Sequence, residues 1–352
     1  MSKGLKSFLK LAVAMVCILI ALLGGLALYV TCSPQPVVWL LRNQFGDEVE
    51  IQNVDNYEEI KNNVTIYKDF VYPSADERNT YDIYLPKNAD EDLPTIVWVH
   101  GGAFVAGTKD GIENYAVMLA NEGYAVVGMD YQWAPEIQYP GQVRQVEECL
   151  VALESVKSTY HLDLNKIILI GDSAGAHIAA QAVLLATNPG YEQAIGVFSA
   201  ITAEQLSGAV LYCGPYDVSK MLNTGNKTID FFASRIGWAL LGEKHWQDGE
   251  MIKTTTIKDY TTAQFPPVFI TDGNSGSFES QGKELADDLR NEGRDVTSLF
   301  FDKNEYGEVG HEYQFSIGDG GAGSLCYQQT ILFLDRILSD NGYNESLSLI
   351  HI

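Results

Sequence analysis

Five short runs, at 95–99, 125–129, 166–170, 208–212 and 268–271, are apolar on both faces rather than alternately apolar and polar. A strand can be apolar throughout only if both faces of its sheet are covered, the usual condition of a parallel sheet flanked by helices. Between these runs lie stretches with helical spacing. Val143, Val146, Leu150 and Leu153 share one face, and 174–185, 285–289 and 331–338 repeat the pattern. Two earlier segments, 64–71 and 81–85, are extended and partly alternating, which suits an opening antiparallel pair. A further strand is expected at 296–302. The order predicts an α/β class: a doubly wound, mostly parallel sheet whose ligands gather at the carboxyl ends of the strands. Residues 219–262 break the alternation. They carry Phe231, Phe232, Trp238 and Trp246 on helix-like stretches, and a helical cap over the strand ends is expected there.

The first thirty residues belong to a different solvent. Lys3, Lys6 and Lys10 precede an uncharged apolar run, 11–30, and twenty helical residues rise about 30 Å, the thickness of a hydrocarbon core. The expected organisation is a basic tail at 1–10, a transmembrane anchor at 11–30, a connecting segment at 31–62 and a catalytic-size domain at 63–345 that contains the cap. Tyr29 and Pro34 disturb the frames in which a signal peptide would be cleaved, and Thr31 weakens a lipid-attachment reading at Cys32. Those two alternatives stay open beside the single-pass anchor. Lysines keep to the cytoplasmic side, so the rest of the chain is expected outside the cytoplasm, with the lipid bilayer as a partner.

Beyond the three lysines, 20 basic side chains face 46 acidic ones, a net charge of −26. Such a field repels polyanions, and no nucleic-acid partner is expected. Five cysteines do not form a disulfide framework. Cys17 and Cys32 lie in or beside the apolar run, and Cys149, Cys213 and Cys326 sit in apolar contexts as buried thiols. The six histidines are scattered, and no metal site is expected.

Chemistry concentrates at three places. Gly171-Asp172-Ser173-Ala174-Gly175 lies between a predicted strand and a predicted helix. A strand turning sharply into a helix lifts the serine oxygen above the sheet, and the helix N-terminus sets the Ala174 N–H beside it. His100-Gly101-Gly102-Ala103-Phe104 follows the strand at 95–99, where glycines let backbone N–H groups approach an oxyanion closely. Gly101, Gly102, Ala103 and Ala174 are the candidate donors, with Gly102 and Ala103 foremost in the loop. His100, placed before the glycines, is expected to hold structure. The base should come late, and Gly310-His311-Glu312-Tyr313 follows the last predicted strand. His161 and His245 fall in connecting or cap segments, His177 one turn into the nucleophile helix, and His351 in the tail.

Together with Asp130-Tyr131-Gln132-Trp133-Ala134-Pro135-Glu136, these motifs resemble the carboxylesterase and hormone-sensitive-lipase-like branch of the α/β-hydrolases, over about residues 63–340. The resemblance implies a triad in the order serine, acid, histidine, an acyl-enzyme mechanism, no cofactor, and a scaffold role for 130–136. It breaks at one point. In Gly273-Asn274-Ser275-Gly276-Ser277-Phe278, Gly276 stands where the family's aspartate belongs. Asp272 at the strand end and Glu279 in the next helix are the nearest carboxylates, with Asp217 a distant third. The expected activity is hydrolysis of a small-molecule or glycan ester through an acyl group on Ser173, with His311 as base. A peptidase or amidase on the same scaffold, or a silent surface-binding protein, are the alternatives.

Overall fold

The computed structural model describes residues 3–44, 54–222, 224–318 and 320–339. His351, and the last residues of the expected domain at 340–345, lie outside them. Eight strands form one sheet: β1 (Val64–Val71), β2 (Thr80–Pro86), β3 (Leu93–Val99), β4 (Ala125–Met129), β5 (Leu162–Asp172), β6 (Leu206–Tyr212), β7 (Val268–Asp272) and β8 (Val296–Phe300). Their order is β1-β2-β4-β3-β5-β6-β7-β8. β1 and β2 are antiparallel to their neighbours, and β4, β3, β5, β6, β7 and β8 run parallel. The doubly wound sheet expected from the apolar runs is the observed fold.

The longer helices are α1 (Lys3–Cys32), α2 (Gln35–Gln44), α3 (Glu113–Asn121), α4 (Gly141–Glu154), α5 (Ala174–Thr187), α6 (Lys227–Leu241), α7 (Glu279–Asn291) and α8 (Ala322–Leu338). The core lies on both faces of the sheet. Ile83, Val97, Val127 and Leu169 point to the layer that holds α4 and α5. Ile96, Trp98, Ile168, Val210 and Phe269 point to the layer that holds α3 and α8. This alternation within each apolar run is why β3 to β7 carry no polar face. α5 is buried almost all round, because it sits at the centre of its layer. Gly175 in its first turn allows that close seat: a side chain there would overlap the carbonyls of Val99 and His100.

Residues 219–262 form an excursion between β6 and β7. Its main element is α6, with short 3-10 turns at Trp246–Asp248, Met251–Thr255 and Ile257–Tyr260. The Asn226 side chain accepts from the Thr228 and Ile229 N–H groups at the start of α6, and Gly242 ends the helix at φ 79°. Of the four aromatics singled out above, Trp246 is a core residue of the excursion. Its indole N–H donates to the Ser234 carbonyl at 3.1 Å, and its ring lies on Gly237. Phe231 is exposed, and Phe232 and Trp238 are half-buried.

The N-terminal region departs from a plain linker. α1 contains a span, Gly4–Cys32, long and apolar enough to cross a membrane and buried nowhere in the fold. α2 then packs against α6. Val37 and Val38 are buried, and Val38 shares a cluster with Val105, Ala106, Ala134 and Ala239. The Arg42 guanidinium donates to the carbonyls of Val105 and Ala134, makes a two-pronged pair with Glu136, and stacks on Trp133. Nothing in the sequence of α2 names these partners, which lie 63 to 94 residues further along the chain from Arg42.

Candidate active site

Ser173 sits between β5 and α5 at φ 50° and ψ −119°, a left-handed conformation that non-glycine residues rarely adopt. Its N–H is anchored on the Tyr212 carbonyl at 2.8 Å. The strained turn lifts the hydroxyl out of the sheet and toward the loop after β8. There Oγ lies 2.9 Å from Nε2 of His311. Residues 138 positions apart in the chain therefore meet at hydrogen-bond distance.

On its other side, His311 Nδ1 lies 2.7 Å from the Ser277 hydroxyl. Ser277 in turn donates to Oδ1 of Asp272, which also accepts the Gly273 N–H at 2.7 Å. Asp272 ends β7 and is fully buried. Among the described residues, its buried Oδ2 has no hydrogen-bond partner. Burial pushes the Asp272 carboxyl up to about 6, and the Ser277 bond opposes that rise. Desolvation pushes the His311 ring down, while the part of the residue still open to solvent limits the effect. Phe278 meets the ring edge to face at 5.5 Å. Of the two carboxylates proposed from the sequence, Asp272 reaches the histidine through Ser277. Glu279 instead pairs with Lys283 at 2.6 Å on the outer side of α7. Asp217 caps a 3-10 turn by accepting from the Ser219 N–H.

The glycine loop is folded tightly on itself. Val105 and Ala106 N–H groups donate to the Gly102 carbonyl, and Gly102 has φ 117°, where a side chain would strike Ala106. Ala103 and Phe104 also have positive φ. One member of the expected donor set is corrected. The Gly101 N–H donates to Oδ2 of Asp172 at 2.8 Å and so is not available to a substrate. Among the described residues, the N–H groups of Gly102, Ala103 and Ala174 show no acceptor. His100 is buried, with Nδ1–H directed to the Gly101 carbonyl at 2.6 Å and its ring stacked on Tyr131 at 4.3 Å. Burial pushes it down to about 4, so it stays neutral. Tyr131 supports the loop by donating to the His100 carbonyl. His177 is buried against Phe104, away from proton transfer.

Two functional residues escaped the sequence reading. Ser277 lies one position after the missing aspartate, and a hydroxyl there carried no signal until the loop was folded. Glu312 follows His311 directly, adopts φ 58°, and bonds Asp172 side chain to side chain. Desolvation, followed by the charge of Asp172, raises the Glu312 carboxyl well above the carboxylate range. It stays protonated and donates to Asp172, which also accepts from the Trp98 indole at 2.7 Å. This acid pair straps the histidine loop to the residue beside the nucleophile.

Donor atoms of Cys213, Asp272 and His311 lie within 4.8 Å of one another. Both His311 nitrogens already face serine hydroxyls, and burial raises the Cys213 thiol well above its ordinary range, away from the thiolate a metal takes. The cluster fits proton transfer better than metal binding.

A central strand–serine–helix turn, a histidine after the last strand and an acid after the strand before it define an α/β-hydrolase of the esterase branch. The chain belongs to the BD-FAE family, whose model matches residues 81–288. It is similar to kynurenine formamidase of Danio rerio, 31% identical over 148 residues, which are 42% of this chain and 46% of the relative. It is also similar to esterase LipC of Mycobacterium tuberculosis, 25% identical over 248 residues, 69% of this chain and 58% of the relative. The chain thus spans about half the length of the curated relatives it matches. In fold it resembles esterase B from Lactobacillus rhamnosis, with a TM-score of 0.69 at 20% identity over 92% of this chain and 95% of that one.

Proposed function

We propose that this protein is a membrane-anchored serine esterase in which Ser173 is the nucleophile, His311 the base and Asp272 the acid, acting through Ser277. The observation that carries the reading is the 2.9 Å approach of His311 Nε2 to the Ser173 hydroxyl on its strained turn. Ser173 Oγ attacks the ester carbonyl as its proton passes to Nε2. The oxyanion that forms is held by the N–H groups of Gly102, Ala103 and Ala174. Each such donor is worth roughly 3 kcal/mol at the transition state. Imidazolium then gives the proton to the departing alcohol. Water attacks the acyl group on Ser173 by the same route in reverse, and the free acid leaves. Asp272, ionised at neutral pH, orients His311 so that Nε2 is the nitrogen that accepts. No step draws on a cofactor.

The kynurenine formamidase relatives favour a second reading, hydrolysis of a formamide by the same residues. One experiment separates the possibilities. A fluorophosphonate should label the chain on Ser173, and p-nitrophenyl acetate should be turned over faster than an aryl formamide. Preference for the formamide would move the assignment to an amidase, and absence of labelling would reject a serine mechanism.

The apolar helix and its lysines support an anchor with the enzyme outside the cytoplasm, where small-molecule or glycan esters are met. Protease added to intact cells should remove the catalytic domain and spare the first ten residues. Full-length protein in the soluble cytoplasmic fraction would reject the anchor.

A further inference from the structure

The anchor does not end in a free tether. Val30, at the close of the apolar run, gives its carbonyl to the Arg235 guanidinium of α6 at 3.2 Å. Arg235 also lies over the rings of Phe231, at 4.8 Å, and Trp238, at 5.7 Å. The end of the apolar run is therefore fixed against the cap itself. Around that point the surface changes character. Tyr29, Trp39, Leu40 and Ile229 are exposed large side chains from α1, α2 and α6. Between α2 and α6 runs an open groove of about 410 Å³ lined by Leu40, Leu41, Gln44 and Phe232. α2 and α6 carry three basic residues, Arg42, Lys227 and Arg235, against one acidic residue, Asp230. That reverses the balance of a chain in which acids outnumber bases two to one.

We infer that the α2–α6 face rests in the boundary between headgroups and acyl chains, with lipid chains filling the groove, and that the enzyme takes esters dissolved in the bilayer. The inference rests on the anchored-esterase reading and names its substrate class. Three observations lead to the bilayer rather than to a protein partner. The face is continuous with the apolar helix, it bears exposed aromatic and aliphatic side chains of the kind that favour the interface, and its own helices carry more basic than acidic residues. The same face backs onto the site. Leu41 of the groove and Ala103 of the oxyanion loop both pack on the cluster that includes Val105 and Ala106. A substrate leaving the bilayer at α2 is thus one layer of side chains from the donors that receive its carbonyl.

The test uses the full chain reconstituted in phosphatidylcholine vesicles. With lipids brominated on the acyl chain close to the headgroup, tryptophan emission should be quenched, and Trp39→Phe should remove most of that quenching. Equal quenching of both proteins would overturn the surface. In a second arm, the double variant Trp39→Gln, Leu40→Gln should turn over p-nitrophenyl acetate in water as before. Its kcat/KM for a decanoate ester held in the same vesicles should fall by about tenfold or more, since loss of even one lipid-buried apolar side chain is worth roughly that factor. Equal effects on both esters, in either direction, would overturn the proposal. If the unsubstituted protein turned over neither ester, the esterase reading would fail, while the quenching arm would still decide the surface.

Discussion

The two halves of the candidate site are built by different means. The nucleophile half is backbone geometry: a strained serine, a helix N-terminus and a tightly folded glycine loop. Its residues are set by the sheet and by α5, and small residues are the condition of its close packing. The histidine half is a set of side-chain contacts between two loops, running from Asp272 through Ser277 to His311, with Glu312 tied to Asp172 beneath. A backbone-built half admits few substitutes, because the chain must turn there in one way. A side-chain relay tolerates more than one wiring, and here the strand-end carboxylate of Asp272 meets the imidazole through the Ser277 hydroxyl.

The sharpest test of the first half is Ser173→Ala, which should lower esterase turnover by about 10⁶ with the melting temperature unchanged. Near-normal activity in a folded variant would break the comparison at its stronger end. On the relay side, Asp272→Asn should cost roughly 10⁴ in kcat, and Glu279→Gln less than about tenfold. The reverse ranking would return the acid to α7. Ser277→Ala should be milder, about 10- to 100-fold in kcat with KM little changed, since the Asp272 carboxylate lies within 4.8 Å of the imidazole even without the hydroxyl between them. In the unsubstituted enzyme kcat/KM should fall as pH drops through about 6, where Asp272 takes its proton. A Ser277→Ala profile identical in both rate and acidic limb would show that the hydroxyl is a bystander.

Glu312 gives a stability test of the strap. Its folded-state pKa lies above the unfolded value, so the folded chain holds the extra proton. That contribution is complete below about pH 4.3, the ordinary glutamate value, and is lost as pH rises through the folded pKa. The melting temperature should therefore decline with rising pH more steeply in the unsubstituted protein than in Glu312→Gln, which keeps a donor toward Asp172 without a titrating proton. Parallel curves would remove Glu312 from the strap. The smallest effect expected is at the cap. Trp238→Ala or Phe231→Ala should change kcat/KM unequally across esters of different chain length, whereas uniform changes that follow stability would make these aromatics packing residues only.

Much of this protein was legible before folding because it rests on local rules. Both-face apolar runs require a covered parallel sheet, and strand–Gly-x-Ser-x-Gly–helix requires an elbow. A histidine after the last strand has few other places to go in that topology. The helix Gly4–Cys32 likewise shows from its own composition that it is long and apolar enough to cross a membrane. What the sequence left open depends on which side chains from distant segments meet. Asp272 and Glu279 flank Gly276 on either side, and only the path of the 273–278 loop turns one toward His311 and leaves the other on Lys283. Gly101 looks like an oxyanion donor in the motif, yet Asp172, 71 residues away, takes its N–H. Nothing along α2 names the surface it docks on, where Arg42 reaches the Val105 and Ala134 carbonyls and Glu136 at once. Local propensity and pattern are written along the chain, whereas hydrogen-bond partners are chosen by distance in space, and only the packed structure sets that distance.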